Sequence, residues 1–148
     1  MTVFIMHGCS ETSPPQINCA YEGNASIVYN DMECEGHISY VNSNTASVSI
    51  SSPETLKGIK FSRSDGSCTL SLDNLLCKSG CRLTNKNSFE GCLFSAFDSI
   101  NSGGLTLKGE KNGIYTFVSA DSNITCNTDN NGKLLSVKTP DIEIKTME

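Results

Sequence analysis

The amino-acid sequence predicts an all-β protein: an antiparallel β-sandwich, with two small β lobes as a variant, and rich in disulfides. Three observations carry this. Short alternating segments recur with turn chemistry between them, spaced roughly eight to twelve residues apart. Eight cysteines are dispersed along the 148 residues. Leu, Ile, Val and Phe make up only about a quarter of the chain and Trp is absent, so the core is thin for its length.

Residues 1–25 read as an irregular N-terminal arm. Ser13-Pro14-Pro15 breaks any regular element there, because Pro lacks a donor and restrains its predecessor. Residues 26–148 read as the β domain, with a split into two lobes expected near 82–92. Its first strands are Ser26-Ile27-Val28-Tyr29, His37-Ile38-Ser39-Tyr40-Val41 and Ala46-Ser47-Val48-Ser49-Ile50-Ser51. The last alternates cleanly, with Ala46, Val48 and Ile50 on one face. Ser52-Pro53 ends it.

Three hairpins follow from their turns. Ile59–Arg63 and Ser67–Leu72 flank Asp65-Gly66, which places Ile59 and Phe61 on one face with Cys68, Leu70 and Leu72. Leu105-Thr106-Leu107 and Ile114–Val118 flank Asn112-Gly113, and Asn123–Cys126 and Leu134–Lys138 flank Asn131-Gly132. Asp-Gly and Asn-Gly tolerate the positive φ angles of tight hairpin turns. A last strand runs Ile142–Lys145. Helix signals are weak: the best window is Phe89–Ile100, broken by Gly91 and serines, and only one helical turn is expected there.

The cysteines Cys9, Cys19, Cys34, Cys68, Cys77, Cys81, Cys92 and Cys126 read as a disulfide framework, because an even, dispersed set in a small chain suits bridges. In the expected pairing Cys9 with Cys19 ties the arm and Cys81 with Cys92 closes a short loop. Cys34, Cys68, Cys77 and Cys126 then staple strands. Other pairings stay open. Zinc would need two close ligand pairs. Cys77-Lys78-Ser79-Gly80-Cys81 supplies one, and His7 and His37 lie far upstream, so neither a metal nor a cofactor is expected.

Catalytic residues are not expected either. His7 and His37 have no evident nucleophile or orienting partner. Asp31, Glu33 and Glu35 alternate and read as one solvated strand edge rather than as carboxylates facing across a cleft. Asp129-Asn130-Asn131-Gly132 lacks the far acidic ligand of a calcium loop and reads as a turn.

Two sequons, Asn24-Ala25-Ser26 and Asn123-Ile124-Thr125, match the N-glycosylation pattern. With the cysteines they point to an extracellular setting. Val3-Phe4-Ile5-Met6 is too short for a signal-peptide core, so the chain reads as a piece excised from a longer precursor, meeting a membrane only through segments absent from it. The net charge is −5. Lys57, Lys60 and Arg63 alternate with apolar residues like the wet face of a strand. Nucleic acid is not an expected partner.

Cys34, then Ala46-Ser47-Val48-Ser49-Ile50-Ser51-Ser52-Pro53-Glu54 with Gly58, and later Asn74-Leu75-Leu76-Cys77, resemble the membrane-proximal ectodomain of bunyavirus envelope glycoproteins, above all the tospovirus-type Gn protein. The resemblance covers about residues 19–81. It departs from that family downstream, where hairpins stand in place of an early membrane anchor. It implies a glycosylated, disulfide-bonded ectodomain module on the virion surface. Such a module would serve spike assembly, host attachment or support of membrane fusion, with other spike chains or a host receptor as partners. The alternative is a secreted, cell-surface or parasite β-sandwich binding module or adhesin. Both are non-enzymatic.

Overall fold

The computed structural model describes residues 13–80 and 85–147. Among these, eleven strands form one antiparallel sheet and a single α-helix packs on it. The first run of hairpins comprises β1 (Tyr21–Tyr29), β2 (Met32–Asn42), β3 (Thr45–Ser52), β4 (Lys60–Ser64), β5 (Ser67–Leu72) and β6 (Leu75–Gly80). Then come α1 (Phe89–Asn101), β7 (Leu105–Lys111), β8 (Ile114–Ser119), β9 (Thr125–Thr128), β10 (Leu134–Lys138) and β11 (Ile142–Thr146). β11 returns to pair with β1, Ile27 opposite Ile144. The order across the sheet is β6-β5-β4-β3-β2-β1-β11-β10-β9-β8-β7. The sheet is therefore open, with β6 and β7 as its edges.

This is all-β and antiparallel, as the alternation predicts, but the second layer is a helix and not a second sheet. Within each run every strand pairs with the next, and β11 joins the second run to β1, so no strand is released to found another sheet. No lobe boundary divides the sheet near 82–92, since β11 stitches the second run of strands to the first. β1 begins at Tyr21, inside the expected arm.

Period-two alternation sends one set of side chains to the helix side. Ala25 and Ile27, then Ile38 and Tyr40, Ala46, Val48 and Ile50, Val137, Ile142 and Ile144 are all buried. The opposite face is wet. Glu33, Glu35 and His37 lie exposed on it, yet β2 is a central strand, so these charges decorate a face and do not guard an edge.

The helix is the main correction to the sequence reading. It runs 13 residues, not one turn. Its stripe of Leu93, Ala96, Phe97 and Ile100 has helical spacing, masked in the sequence by the serines between. Ser88 caps it, its Oγ accepting from the Gly91 N–H at 3.2 Å. Phe97 stacks on Tyr40 with ring centroids 4.9 Å apart and on Tyr21 at 6.2 Å. Gly91 fits where the chain doubles back: a Cβ there would meet the Asn85 carbonyl at 2.4 Å.

The turn chemistry holds at two hairpins. Asp65 and Gly66 have φ of 46° and 77°, and Asn112 and Gly113 have 54° and 77°, the signature of a twist-matched two-residue turn. The Asn131-Gly132 turn is a longer loop instead, organised by Asp129, whose Oδ1 accepts from the N–H groups of Asn131 and Lys133.

Candidate functional site

β4, β5 and β6 extend the sheet past the helix. Their register aligns Phe61, Leu70 and Cys77 across three strands, and Leu72 with Leu75. The shared face of Phe61, Cys68 and Leu70 is the one expected from the sequence. β6 itself is absent from that reading, which took Leu75-Leu76-Cys77 only as part of the family resemblance. It lacks an alternating pattern because every one of its residues is exposed.

Between this wing and α1 lies a groove of about 250 Å³, lined by Phe61, Leu70, Cys77 and Phe94 with Lys78 and Glu90 beside them. A second hollow of about 210 Å³ shares Cys68 and Phe94 with it and reaches Arg63 and Asp98. The apolar floor of the first groove continues outward along the wing: Leu70 is 40% exposed and Leu75 is 71% exposed.

One polar cluster ties the helix to this wing. The Arg63 guanidinium donates twice to the Asp98 carboxylate, at 2.7 and 2.8 Å. Tyr40 Oη donates to the same carboxylate at 2.8 Å, and the guanidinium lies 5.0 Å over the Phe94 ring. Arg63 thus faces the core side, not the wet face expected for it; Lys60 stays exposed. The Arg63 Nε is buried with no hydrogen-bond partner among the described residues. Burial, followed by the hydrogen bond to Asp98 and its charge, raises the Tyr40 hydroxyl pKa strongly. Nearby, Tyr29 Oη donates to the Asn87 carbonyl, and the Tyr29 ring meets Phe89 edge-on.

The expected four-bridge framework is not shown. Cys19, Cys34, Cys77, Cys92 and Cys126 carry free thiols, while Cys68 is disulfide-bonded. Cys9 and Cys81 lie outside the described residues, as does His7. Cys92 is buried on α1, its thiol donating to the Lys86 carbonyl at 3.4 Å. Burial pushes the Cys34 and Cys92 thiols up and takes Cys126 to about 12. Thiols held protonated are weak nucleophiles.

The remaining candidates stand apart from the groove. Asn24 and Asn123 are both exposed. Asn24 Oδ1 sits 3.2 Å from His37 Nδ1, and Asn123 Nδ2 donates to Asp121 at 2.8 Å. His37 Nε2 lies 3.8 Å from Glu22, well out in solvent. What the arrangement offers chemically is an open apolar trough with a charged rim. No protein-family model and no curated protein matches the chain.

Proposed function

We propose that the chain is a non-enzymatic, extracellular binding module that holds an apolar chain, such as a lipid acyl tail, in the groove between α1 and β4–β6. The observation that carries this reading is the apolar inner face running beyond the helix. Phe61, Leu70 and Phe94 line a trough that the described residues leave open. Its volume of about 250 Å³ approaches the roughly 300–1,000 Å³ of small-molecule sites. An acyl chain suits a trough walled by Phe61, Leu70 and Phe94, and Lys78 and Glu90 beside it suit a polar headgroup.

Titration with a fluorescent fatty acid tests the proposal. Saturable binding is expected in the wild type. Leu70→Glu, on a part-exposed wing residue, should weaken it about tenfold or more, since burying a leucine is worth roughly 1.5–3 kcal/mol. Equal binding by both proteins, or binding that never saturates, rejects it. Competition with free fatty acid and with phospholipid micelles separates the two sources of such a chain.

A second reading keeps the spike-ectodomain role implied by residues 19–81. The exposure of both sequons, Asn24 and Asn123, favours it. It expects glycans at one or both after passage through a eukaryotic secretory pathway, and binding to other spike chains or to a host receptor. Unmodified Asn24 and Asn123 in secreted material would count against it.

A further inference from the structure

We propose that Cys19 and Cys126 form a disulfide that clasps the segment before β1 to β9. Cys126 lies fully buried on the inner face of β9. Cys19 packs against the same buried cluster. The path of the chain between them is fixed by neighbours: the Asn18 N–H donates to the Gly132 carbonyl at 3.0 Å. Gly132 has φ of 77°, and a Cβ on it would fall 1.9 Å from the Gln16 carbonyl oxygen. Residues 16–18 therefore lie directly on the β9–β10 loop, which brings Cys19 over the strand that carries Cys126.

The Cys19 sulfur also reaches Cys126 electrostatically. Charge on Cys19 adds to the burial that raises Cys126, and it acts on the Tyr40 hydroxyl as well. Neither Cys34 nor Cys92 is shifted by another thiol. Cys77 is exposed on the β6 edge. Among the described free thiols, Cys19 and Cys126 are thus the pair that geometry and electrostatics place together. This replaces Cys9 as the partner of Cys19 and assigns Cys126 to the arm.

The oxidant is a small-molecule disulfide such as glutathione disulfide. The more accessible Cys19 loses its proton, and its thiolate attacks one sulfur of the oxidant, releasing one thiolate and leaving a mixed disulfide. Cys126 passes its proton to the released thiolate and attacks the Cys19 sulfur, displacing the second thiolate; its high pKa makes this the slow step. Two protein thiols are oxidised and one disulfide is reduced to two thiols.

Peptide mapping of the full chain, equilibrated with oxidised and reduced glutathione and then alkylated, tests this. Cleavage after acidic residues isolates Cys19 in residues 12–22 and Cys126 in residues 122–129. The expected product is these two peptides linked, two hydrogens lighter than their sum. Cys9 linked to Cys19, or alkylation of both Cys19 and Cys126, overturns the proposal. A second measurement compares Cys19→Ser with the wild type. Closing a loop of about a hundred residues should raise the melting temperature by about 10 °C under oxidising conditions, and the difference should vanish with excess reductant. No difference when oxidised, or one that persists in full after reduction, overturns it too.

Discussion

In β3 the inward residues Ala46, Val48 and Ile50 are at most 5% exposed, whereas Leu70 in β5 and Leu75 in β6 are 40% and 71% exposed. Register places Val48 opposite Phe61 and Phe61 opposite Leu70, so β3 and β5 present one continuous face. What differs is the cover. Eleven strands at about 4.8 Å spacing span roughly 48 Å, while a helix with its side chains is only about 10–12 Å across. One helix can seal the middle of such a sheet but not its wings. Alternation thus makes a core where α1 lies over it and an open apolar surface where α1 does not.

Breaking the covered region should have the largest effect. Phe97→Ala removes a ring that is 0% exposed and stacked on Tyr21 and Tyr40. A loss of about 3–5 kcal/mol is expected in denaturant unfolding. Leu75→Ala, on the same face but beyond the helix, should cost less than about 0.5 kcal/mol. Similar losses at the two positions would dissolve the contrast.

Next comes the link between helix and wing. Arg63→Ala removes the bidentate contact with Asp98 and the stacking on Phe94. The Asp98 side chain is 32% exposed, so solvent screens the loss, and about 2 kcal/mol is expected. A cycle with Asp98→Asn would show whether the two residues act as a pair: additive losses would mean that they do not.

Alkali should reach the covered region more gently. The Tyr40 hydroxyl titrates above its ordinary value of 10.0 when folded. The stability linked to it is whole below pH 10 and drains as pH rises toward the folded value. Tyr40→Phe should flatten part of that alkaline fall in urea midpoints. Tyr21 and the Cys34, Cys92 and Cys126 thiols, all raised by burial, keep the rest. An unchanged alkaline limb would remove Tyr40 from the account.

The smallest effect belongs to the wet face. Hydrogen bonds first from Lys145 and then from Lys138 hold the Glu143 carboxyl below its usual value of 4.5. Its contribution is present above pH 4.5 and is lost as pH falls through the folded value. Because both lysine partners are mostly exposed and solvent screens the pairs, Glu143→Gln should cost no more than about 0.5 kcal/mol at neutral pH and nothing in strong acid. A larger loss would show that this face carries more of the stability than its exposure implies.

Much of the fold was legible because local chemistry wrote it. Alternation in Ala46–Ser51 and the pairs Asp65-Gly66 and Asn112-Gly113 specify strands and turns without help from distant residues. The missed elements were those that depend on context. β6 pairs through its backbone and carries no buried face to leave a pattern. α1 owes its existence to the sheet it packs on, since 13 residues interrupted by Gly91 and two serines make a poor helix alone.

The groove was half legible. Phe61, Cys68 and Leu70 sharing a face followed from hairpin register, but Phe94, Arg63 and Asp98 joined them only through packing. The Asp65-Gly66 turn fixes which residues of two neighbouring strands align. Nothing in it says where a helix from residue 89 onward will lie.

By itself, then, the sequence determined an antiparallel all-β chain, the hairpins at Asp65-Gly66 and Asn112-Gly113 and the inward side of β3 and β5. These are set over a few residues by side-chain period and by turn backbone angles. The tertiary structure decided that there is one open sheet in place of a sandwich, that a helix supplies its second layer, and that Cys19 lies near Cys126. Each of those rests on contacts between residues far apart in the chain. Their energy comes from burying surfaces against each other, and no local pattern encodes which surfaces meet.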